Sequence, residues 1–262
     1  MAIPDIRLLV ANGCSMTYGD ELGERLETGW AALVARRLEA ELVNLGACAG
    51  SNQRTVRLTV EKLGGLVGER GLRPDQVLVL SMWSRMNRFE IFGGERDLHG
   101  GLPENVADPG WIRIHPTYIP RRDARSIAWY KHLQNATGDR LTFLLLWTLF
   151  DSWLAEKGYH YGFLWAFDPE PELAMEGAAY LANLKGARVI GGDRLPLGGP
   201  SLFSIGQELD DLGPDRHPLE RSQARYVDDH LWPWLREVLL AQPDERYGAS
   251  READDGRVDL DR

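Results

Sequence analysis

The chain has 262 residues, a hydrophobic content of 44% and a formal net charge of −9 at pH 7. A chain of this length and hydrophobic content can bury one sizeable core, so we expect a single domain with insertions. The acidic balance argues against nucleic acid and an anionic membrane as partners, because both are bound by clustered lysine and arginine.

The cysteine content and the N-terminal residues indicate the compartment. Only Cys14 and Cys48 occur, and we predict that both are reduced, as in a cytoplasmic protein. The first apolar run has five residues with an acidic residue ahead of it, which is too short for a secretory signal peptide. No stretch approaches the roughly 18 apolar residues of a membrane span. We therefore expect a cytoplasmic protein.

Strand-like and helix-like patterns alternate in the first third of the chain. Short apolar runs at 6–10 (IRLLV), 42–46 (LVNLG) and 76–83 (QVLVLSMW) predict strands. Helical spacing at 30–41 and amphipathic spacing at 52–67 predict the helices between them. This βαβαβ order predicts a parallel sheet with helices on both faces.

The pattern is less regular in the remaining chain. Residues 93–135 are rich in Gly, Pro, His and Trp, which favours an inserted lid. RLTFLLLW at 140–147 predicts a fourth strand, and a helical stretch around 169–185 precedes the strand-like ARVIGG at 187–192. The pattern at 221–241 predicts a closing helix.

These elements together predict the domain organisation. We expect one α/β domain over residues 1–244, with three α/β/α layers, a flavodoxin-like parallel sheet and the insertion at about 93–135. The polar, charged residues 245–262 predict a disordered tail.

Ser15 follows the first predicted strand directly, within GCSMTYGDEL. Functional sites of open parallel sheets form at the carboxyl ends of the strands, so this serine stands where the fold displays reactive groups. A serine nucleophile needs a base. The turn GPDRHP contains Asp215 and His217, which would complete a triad in the order Ser, Asp, His. The alternative is that Ser15 only caps a helix.

Four blocks of the sequence resemble the SGNH, or GDSL-like, hydrolases. GCSMTYGDEL resembles the first block, with Ser15 at the nucleophile position, and NLGACAGSNQR resembles the second, with Gly50 at the oxyanion glycine. LSMWSRMNRFE falls where the third block lies, and DRHP resembles the last, with Asp215 and His217 completing the triad. More narrowly, the pattern NG-S-TYGDEL, NL-GSN-R and W-S-RFE resembles a branch of bacterial and phage SGNH-like proteins.

This resemblance spans roughly residues 5–92 and 200–238 and implies a serine esterase that needs no cofactor and no metal. The third block lacks the family's Gly-x-Asn-Asp, so its oxyanion asparagine is missing. Asn52 is the expected substitute and Asn87 is the poorer one. The other expected oxyanion donors are the main-chain N–H groups of Ser15 and Gly50.

The third block also supplies candidate substrate contacts, which are Trp83, Ser84, Arg88 and Glu90. Arg88 and Glu90 are suited to a substrate carboxylate or to sugar hydroxyls, while an ordinary ion pair at the strand exit is an equal alternative. Aromatic residues crowd the chain outside the family blocks, and those in inserted segments are candidates for lining a substrate cleft.

The expected substrate is a small-molecule or glycan ester, with the acyl group on a carbohydrate or a specialised metabolite. Two alternatives stay open. An acyltransferase would pass the same acyl-enzyme to a bound acceptor when water is excluded. A non-catalytic binding protein would keep the fold without turnover.

Overall fold

The computed structural model describes residues 4–93, 108, 110–173, 179–180, 184 and 200–240. The strands in these ranges are β1 (Leu8–Asn12), β2 (Glu41–Asn44), β3 (Val77–Trp83), β4 (Phe89–Phe92), β5 (Trp111–Ile114) and β6 (His160–Trp165). The helices are α1 (Ser15–Tyr18), α2 (Arg25–Thr28), α3 (Trp30–Leu38), α4 (Asn52–Glu69), α5 (Ala124–His132), α6 (Ala136–Lys157), α7 (Leu202–Glu208), α8 (Glu220–Arg225) and α9 (Trp232–Leu240). A π-helical segment, Tyr226–Leu231, joins α8 to α9, and single 3₁₀ turns lie at Pro74–Gln76 and Pro116–Tyr118.

The main sheet has the order β2-β1-β3-β6, and all of its strand pairs are parallel. Every residue of β1 and β3 is buried, as expected for central parallel strands that helices cover on both faces. The predicted three-layer α/β/α fold is thereby confirmed. Successive strands lie on either side of β1, so the carboxyl ends of β1 and β3 border the switch point where such sheets bind ligands.

The predicted strand at 140–147 is wrong, because these residues lie inside α6. The Asn135 side chain accepts a hydrogen bond from the Gly138 N–H and caps this helix. One face of the apolar run is buried, including Phe143 and Trp147, whereas Leu145 is 50% exposed on the other face. A short apolar run has no period that separates a buried strand from a helix, so the cap and the 22-residue length decide the structure.

The fourth strand of the main sheet is β6, which directly follows α6. The part of the predicted insertion that the structure describes contains β5 and α5. β5 pairs with β4 as a separate antiparallel ladder. The predicted strand at 187–192 and the predicted tail at 245–262 lie outside the described residues.

Tryptophan and phenylalanine side chains fill the core between β3, β6 and α6. Trp83 stacks on Phe163 with ring centroids 5.2 Å apart and meets Phe143 edge-on at the same distance. This packing fixes the end of β3 and the residues that follow it. Within the described ranges, no helix is long and apolar enough to cross a membrane. The cytoplasmic location stays a prediction.

Candidate active site

Ser15 and His217 meet at the carboxyl edge of the main sheet. β1 ends at Asn12 and α1 begins at Ser15, while His217 lies in the loop between α7 and α8. The Ser15 Oγ and the His217 Nε2 are 2.9 Å apart, although the two residues are separated by 202 positions in the chain. This is the distance at which a general base takes a hydroxyl proton.

The other ring nitrogen of His217 contacts Glu21. The His217 Nδ1 lies 2.9 Å from the Glu21 Oε2. An ionised carboxylate only accepts hydrogen bonds, so Nδ1 carries the ring proton and donates it to Glu21. In the neutral imidazole the lone pair of Nε2 then faces the Ser15 hydroxyl, which is the tautomer that a general base requires.

Glu21 also holds the loop that carries His217. The Asp215 N–H donates to the Glu21 Oε1 at 2.9 Å, and the His217 N–H donates to the Oε2 at 3.0 Å. Burial raises the pKa of Glu21, and these hydrogen bonds together with the His217 ring outweigh it, so the pKa is lowered overall. The carboxylate therefore stays ionised beside the imidazole at neutral pH.

Glu21 thus occupies the place on Nδ1 that we predicted for Asp215. The Asp215 side chain is exposed, and this residue reaches the site through its main-chain N–H. The tight turn from Gly213 explains the difference, because the Arg216 N–H bonds the Gly213 carbonyl and Arg216 has a φ of 64°. Glu21 also has a positive φ, 66°, which is uncommon for glutamate and is held here by its hydrogen bonds.

Glu21 was not among the site residues predicted from the sequence. A signal was present, because GDEL places two carboxylates directly after the serine helix. Nothing local shows which of them reaches a histidine 196 positions away. The other carboxylate, Asp20, accepts a hydrogen bond from the Cys48 thiol at 3.0 Å and lies 4.0 Å from the His217 Nε2.

The predicted oxyanion residues Gly50 and Asn52 lie at the start of α4, where Gly50 packs against Cys14 and Asn52 bonds Ser84. The Gly50 N–H donates to the Ala47 carbonyl at 3.0 Å. A Cβ on Gly50 would lie 2.9 Å from the Gly13 oxygen and 3.4 Å from the Cys14 Cα, so this glycine permits close backbone approach. The Asn52 Nδ2 donates to the Ser84 carbonyl at 3.1 Å, and the Asn52 Oδ1 accepts from the Ser84 N–H at 2.8 Å. Asn52 is therefore fixed to the end of β3, with one amide hydrogen left beyond that pair.

Of the four predicted substrate contacts in the third block, three have structural roles and the fourth, Arg88, has no ion pair with a described residue. Trp83 is a core residue with no exposed surface, so it does not face a substrate. Ser84 is buried and bonds Asn52 through its main chain, and Glu90 forms a bidentate ion pair with Arg57 at 2.8 and 3.0 Å. Only Arg88, among these four, presents a charged group without an ion pair to any described residue.

The model of a "Family of unknown function (DUF6071)" matches residues 19–248. The chain belongs to this family. No curated protein sequence matches this chain. Among solved structures, the one titled "Crystal Structure of TesA" is similar over 88% of this chain and 99% of that chain, with a TM-score of 0.51 and 14% sequence identity. At this identity the similarity shows a shared fold.

Neither cysteine of this DUF6071 protein is bridged. Burial, together with the hydrogen bond to Asp20, raises the pKa of the Cys48 thiol to about 12. Cys48 is therefore a neutral thiol and a poor nucleophile at neutral pH. Within the described ranges, no group of three or more His, Cys, Asp or Glu side chains is arranged to hold a metal ion.

Gly213 provides a test of how Glu21 is held. A Cβ at this position would lie 2.7 Å from the Glu21 Cδ and 2.8 Å from both carboxylate oxygens. Gly213→Ala is expected to displace the carboxylate and to lower kcat/KM about 10²-fold for any reaction that depends on the Ser15–His217 pair. The matched control is Gly64→Ala in α4, where a Cβ meets nothing within 4 Å. Equal activity of both variants would contradict a role for Glu21 in orienting His217.

Proposed function

We propose that the protein is a serine esterase in which Ser15, His217 and Glu21 form the catalytic triad. The observation that carries this proposal is the continuous hydrogen-bonded arrangement from the Glu21 carboxylate through the His217 ring to the Ser15 hydroxyl, with 2.9 Å at each step. The resemblance of the serine block and the histidine block to SGNH hydrolases supports it independently, because that resemblance rests on the sequence alone.

The geometry supports a two-step acyl transfer to water. The Ser15 Oγ attacks the ester carbonyl while the His217 Nε2 takes its proton, and the resulting imidazolium protonates the leaving alcohol. Water then attacks the acyl-enzyme, with His217 again acting first as base and then as acid to release Ser15. The Glu21 carboxylate keeps the Nδ1–H tautomer and stabilises the imidazolium in both steps.

The oxyanion donors in this proposal are the Ser15 N–H and the remaining amide hydrogen of Asn52. Ser15 opens α1, so its N–H has no partner inside that helix. Gly50 would contribute only by giving up its bond to the Ala47 carbonyl. Loss of one oxyanion donor lowers kcat by roughly 10²- to 10³-fold in comparable enzymes. We therefore expect a slower enzyme than one with the third-block asparagine.

The substrate proposed at this level is an acyl ester on a small molecule or a glycan. Each step uses protein side chains and water, and the mechanism requires no cofactor. Transfer of the acyl group to an added alcohol or amine would instead indicate the acyltransferase alternative. The partition of one acyl-enzyme between water and the acceptor measures this directly.

Fluorophosphonate labelling tests the proposal without knowledge of the natural ester. We expect the reagent to modify the Ser15 peptide in the wild type and to leave Ser15→Ala unmodified, as read by mass spectrometry. The control is Ser84→Ala, because the Ser84 hydroxyl is buried and its backbone alone contacts Asn52. That variant should label like the wild type. A folded wild-type protein that is not labelled would overturn the esterase proposal and favour a binding protein.

A further inference from the structure

A cavity of about 290 Å³ lies beside the third block, between residues of α4, α5 and α6. Its wall is largely aromatic and aliphatic, with Phe89, Trp129 and Phe143 among the lining side chains. The rings of Phe89 and Trp129 stack with centroids 4.2 Å apart. The volume is at the lower end of the range for small-molecule sites, so the cavity suits one small group of a ligand.

Four buried polar atoms without partners belong to residues of this wall. The Arg88 Nε and Nη1, the Trp129 Nε1 and the Gln53 Oε1 are buried and form no hydrogen bond with the described residues. Such groups normally have a partner, because desolvating them without one is costly. Three of these four atoms are donors, which favours an acceptor-rich ligand.

Arg88 supplies a buried positive charge in this wall. Its relative exposure is 8%, and its guanidinium lies 5.3 Å from the centroid of the Phe167 ring. No described residue forms an ion pair with it. A guanidinium is always cationic and its planar N–H groups fit a carboxylate, so an anion from outside the chain would satisfy both the charge and the free donors.

The opposite charge in the wall limits which anion fits. Asp139 also lines the cavity, and its carboxylate accepts a hydrogen bond from the Gln134 side chain at 2.9 Å. The Arg88 guanidinium alone balances a ligand with a single negative charge, and the Asp139 carboxylate would repel a phosphate dianion more strongly than a monoanion. Together with the aromatic wall, this favours a carboxylate attached to an apolar or aromatic group.

The loop that begins α4 connects this cavity to Ser15. Gly50 packs against the Cys14 Cα, next to the nucleophile, and Asn52 lines the cavity. Two residues of chain span at most about 7 Å, so the cavity adjoins the serine site on the side of β3. A group of the substrate seated on Arg88 would be within reach of the same loop that flanks the reacting carbonyl.

We propose that this cavity binds a carboxylate of the substrate on Arg88, so that the protein acts on monoanionic esters with an apolar or aromatic portion. The existence of the anion site is inferred only from the cavity and its lining residues. Its role as a substrate subsite rests on the esterase function proposed above. Arg88 positions the substrate and takes no part in the proton transfers.

Binding of 3-phenylpropionate and its neutral isostere, 3-phenylpropionamide, tests the site by isothermal titration calorimetry on the full chain. We expect the wild type to prefer the acid by roughly ten- to a hundredfold, as for a hydrogen bond to a charged group. Arg88→Gln should abolish this preference, and Arg88→Lys should keep only part of it. The control is Arg85→Gln, because Arg85 is exposed and its guanidinium lies over the same Phe167 ring at 4.4 Å.

Thermal unfolding separates loss of the site from loss of the fold. Removing an unpaired buried charge should leave the unfolding temperature of Arg88→Gln equal to or above that of the wild type. Equal binding of acid and amide by the wild type, no binding of either, or an acid preference that survives in Arg88→Gln would each overturn the proposal. A lower unfolding temperature in Arg88→Gln would also overturn it, because Arg88 would then be structural.

The same measurement in Ser15→Ala distinguishes this proposal from the esterase function. Binding involves no chemistry at Ser15, so we expect the acid preference to persist in that variant. If the preference depends on Arg88 while the wild type fails to label at Ser15, the anion site stands and the esterase function fails. If Ser15 labels and the acid preference is absent, the esterase function stands and the anion site fails.

Discussion

His217→Ala is expected to lower kcat about 10⁶-fold on any ester that the wild type hydrolyses, as removal of the base does in other serine hydrolases. The Ser15 hydroxyl lies 2.9 Å from the His217 Nε2, and without the imidazole no described group of suitable basicity has this contact. Steady-state hydrolysis of short-chain and acetylated-sugar p-nitrophenyl esters measures the change.

The matched control for this variant is His230→Ala. His230 lies in the π-helical segment Tyr226–Leu231, thirteen positions after His217, and is half-buried. Its replacement should leave kcat within about twofold, as for a residue outside the reacting groups. Turnover that survives in His217→Ala and is lost in His230→Ala would reverse the assignment of the base.

Glu21→Gln is expected to lower kcat about 10³- to 10⁴-fold, by analogy with loss of the triad carboxylate in other serine hydrolases. The amide would keep most of the volume of the side chain and lose the negative charge that stabilises the imidazolium. Asp215→Asn changes an exposed side chain, so its kcat should stay within about threefold of wild type. The same p-nitrophenyl esters measure both variants.

The free energy of unfolding, measured over a range of pH, tests the role of the Glu21 carboxylate independently of turnover. Its pKa is lowered in the folded protein, because the hydrogen bonds from Asp215 and His217 outweigh burial. The ionised Glu21 carboxylate therefore adds to the free energy of unfolding at pH values above the ordinary carboxyl pKa. This contribution is lost as the pH falls through the lowered pKa of the folded protein. Glu21→Gln should destabilise the protein at neutral pH and less so in acid. The opposite result would be lower turnover and stability in Asp215→Asn and no change in Glu21→Gln. That result would support the triad predicted from the sequence, in which Asp215 orients His217.

The carboxylate of the proposed site comes from the same sequence block as the serine. Glu21 and Ser15 come from the same short segment, and Glu21 bonds the main chain on either side of Arg216 as well as the His217 ring. The carboxylate therefore orients the imidazole and anchors its loop at once. Gly213 leaves the space that this arrangement needs, since a Cβ there would contact the carboxylate.

Much of the fold could be predicted from local pattern. The predicted strands at 6–10, 42–46 and 76–83 correspond within two residues to β1, β2 and β3, because the strands of this parallel sheet are short apolar runs between helical segments. The failure at 140–147 has the same physical origin. An apolar run that is buried on one face of a long helix looks like a strand until its cap and its length are known.

The sequence by itself determined the alternating α/β order, the serine at the end of the first strand and the histidine in a proline-flanked turn. Only the tertiary structure decided which carboxylate meets the His217 ring, that Trp83 belongs to the core, and that Arg88 has no ion pair among the described residues. Periodicity and motifs encode what the backbone does over a few residues. Contacts between side chains nearly 200 positions apart depend on how the whole chain packs, and no local pattern specifies them.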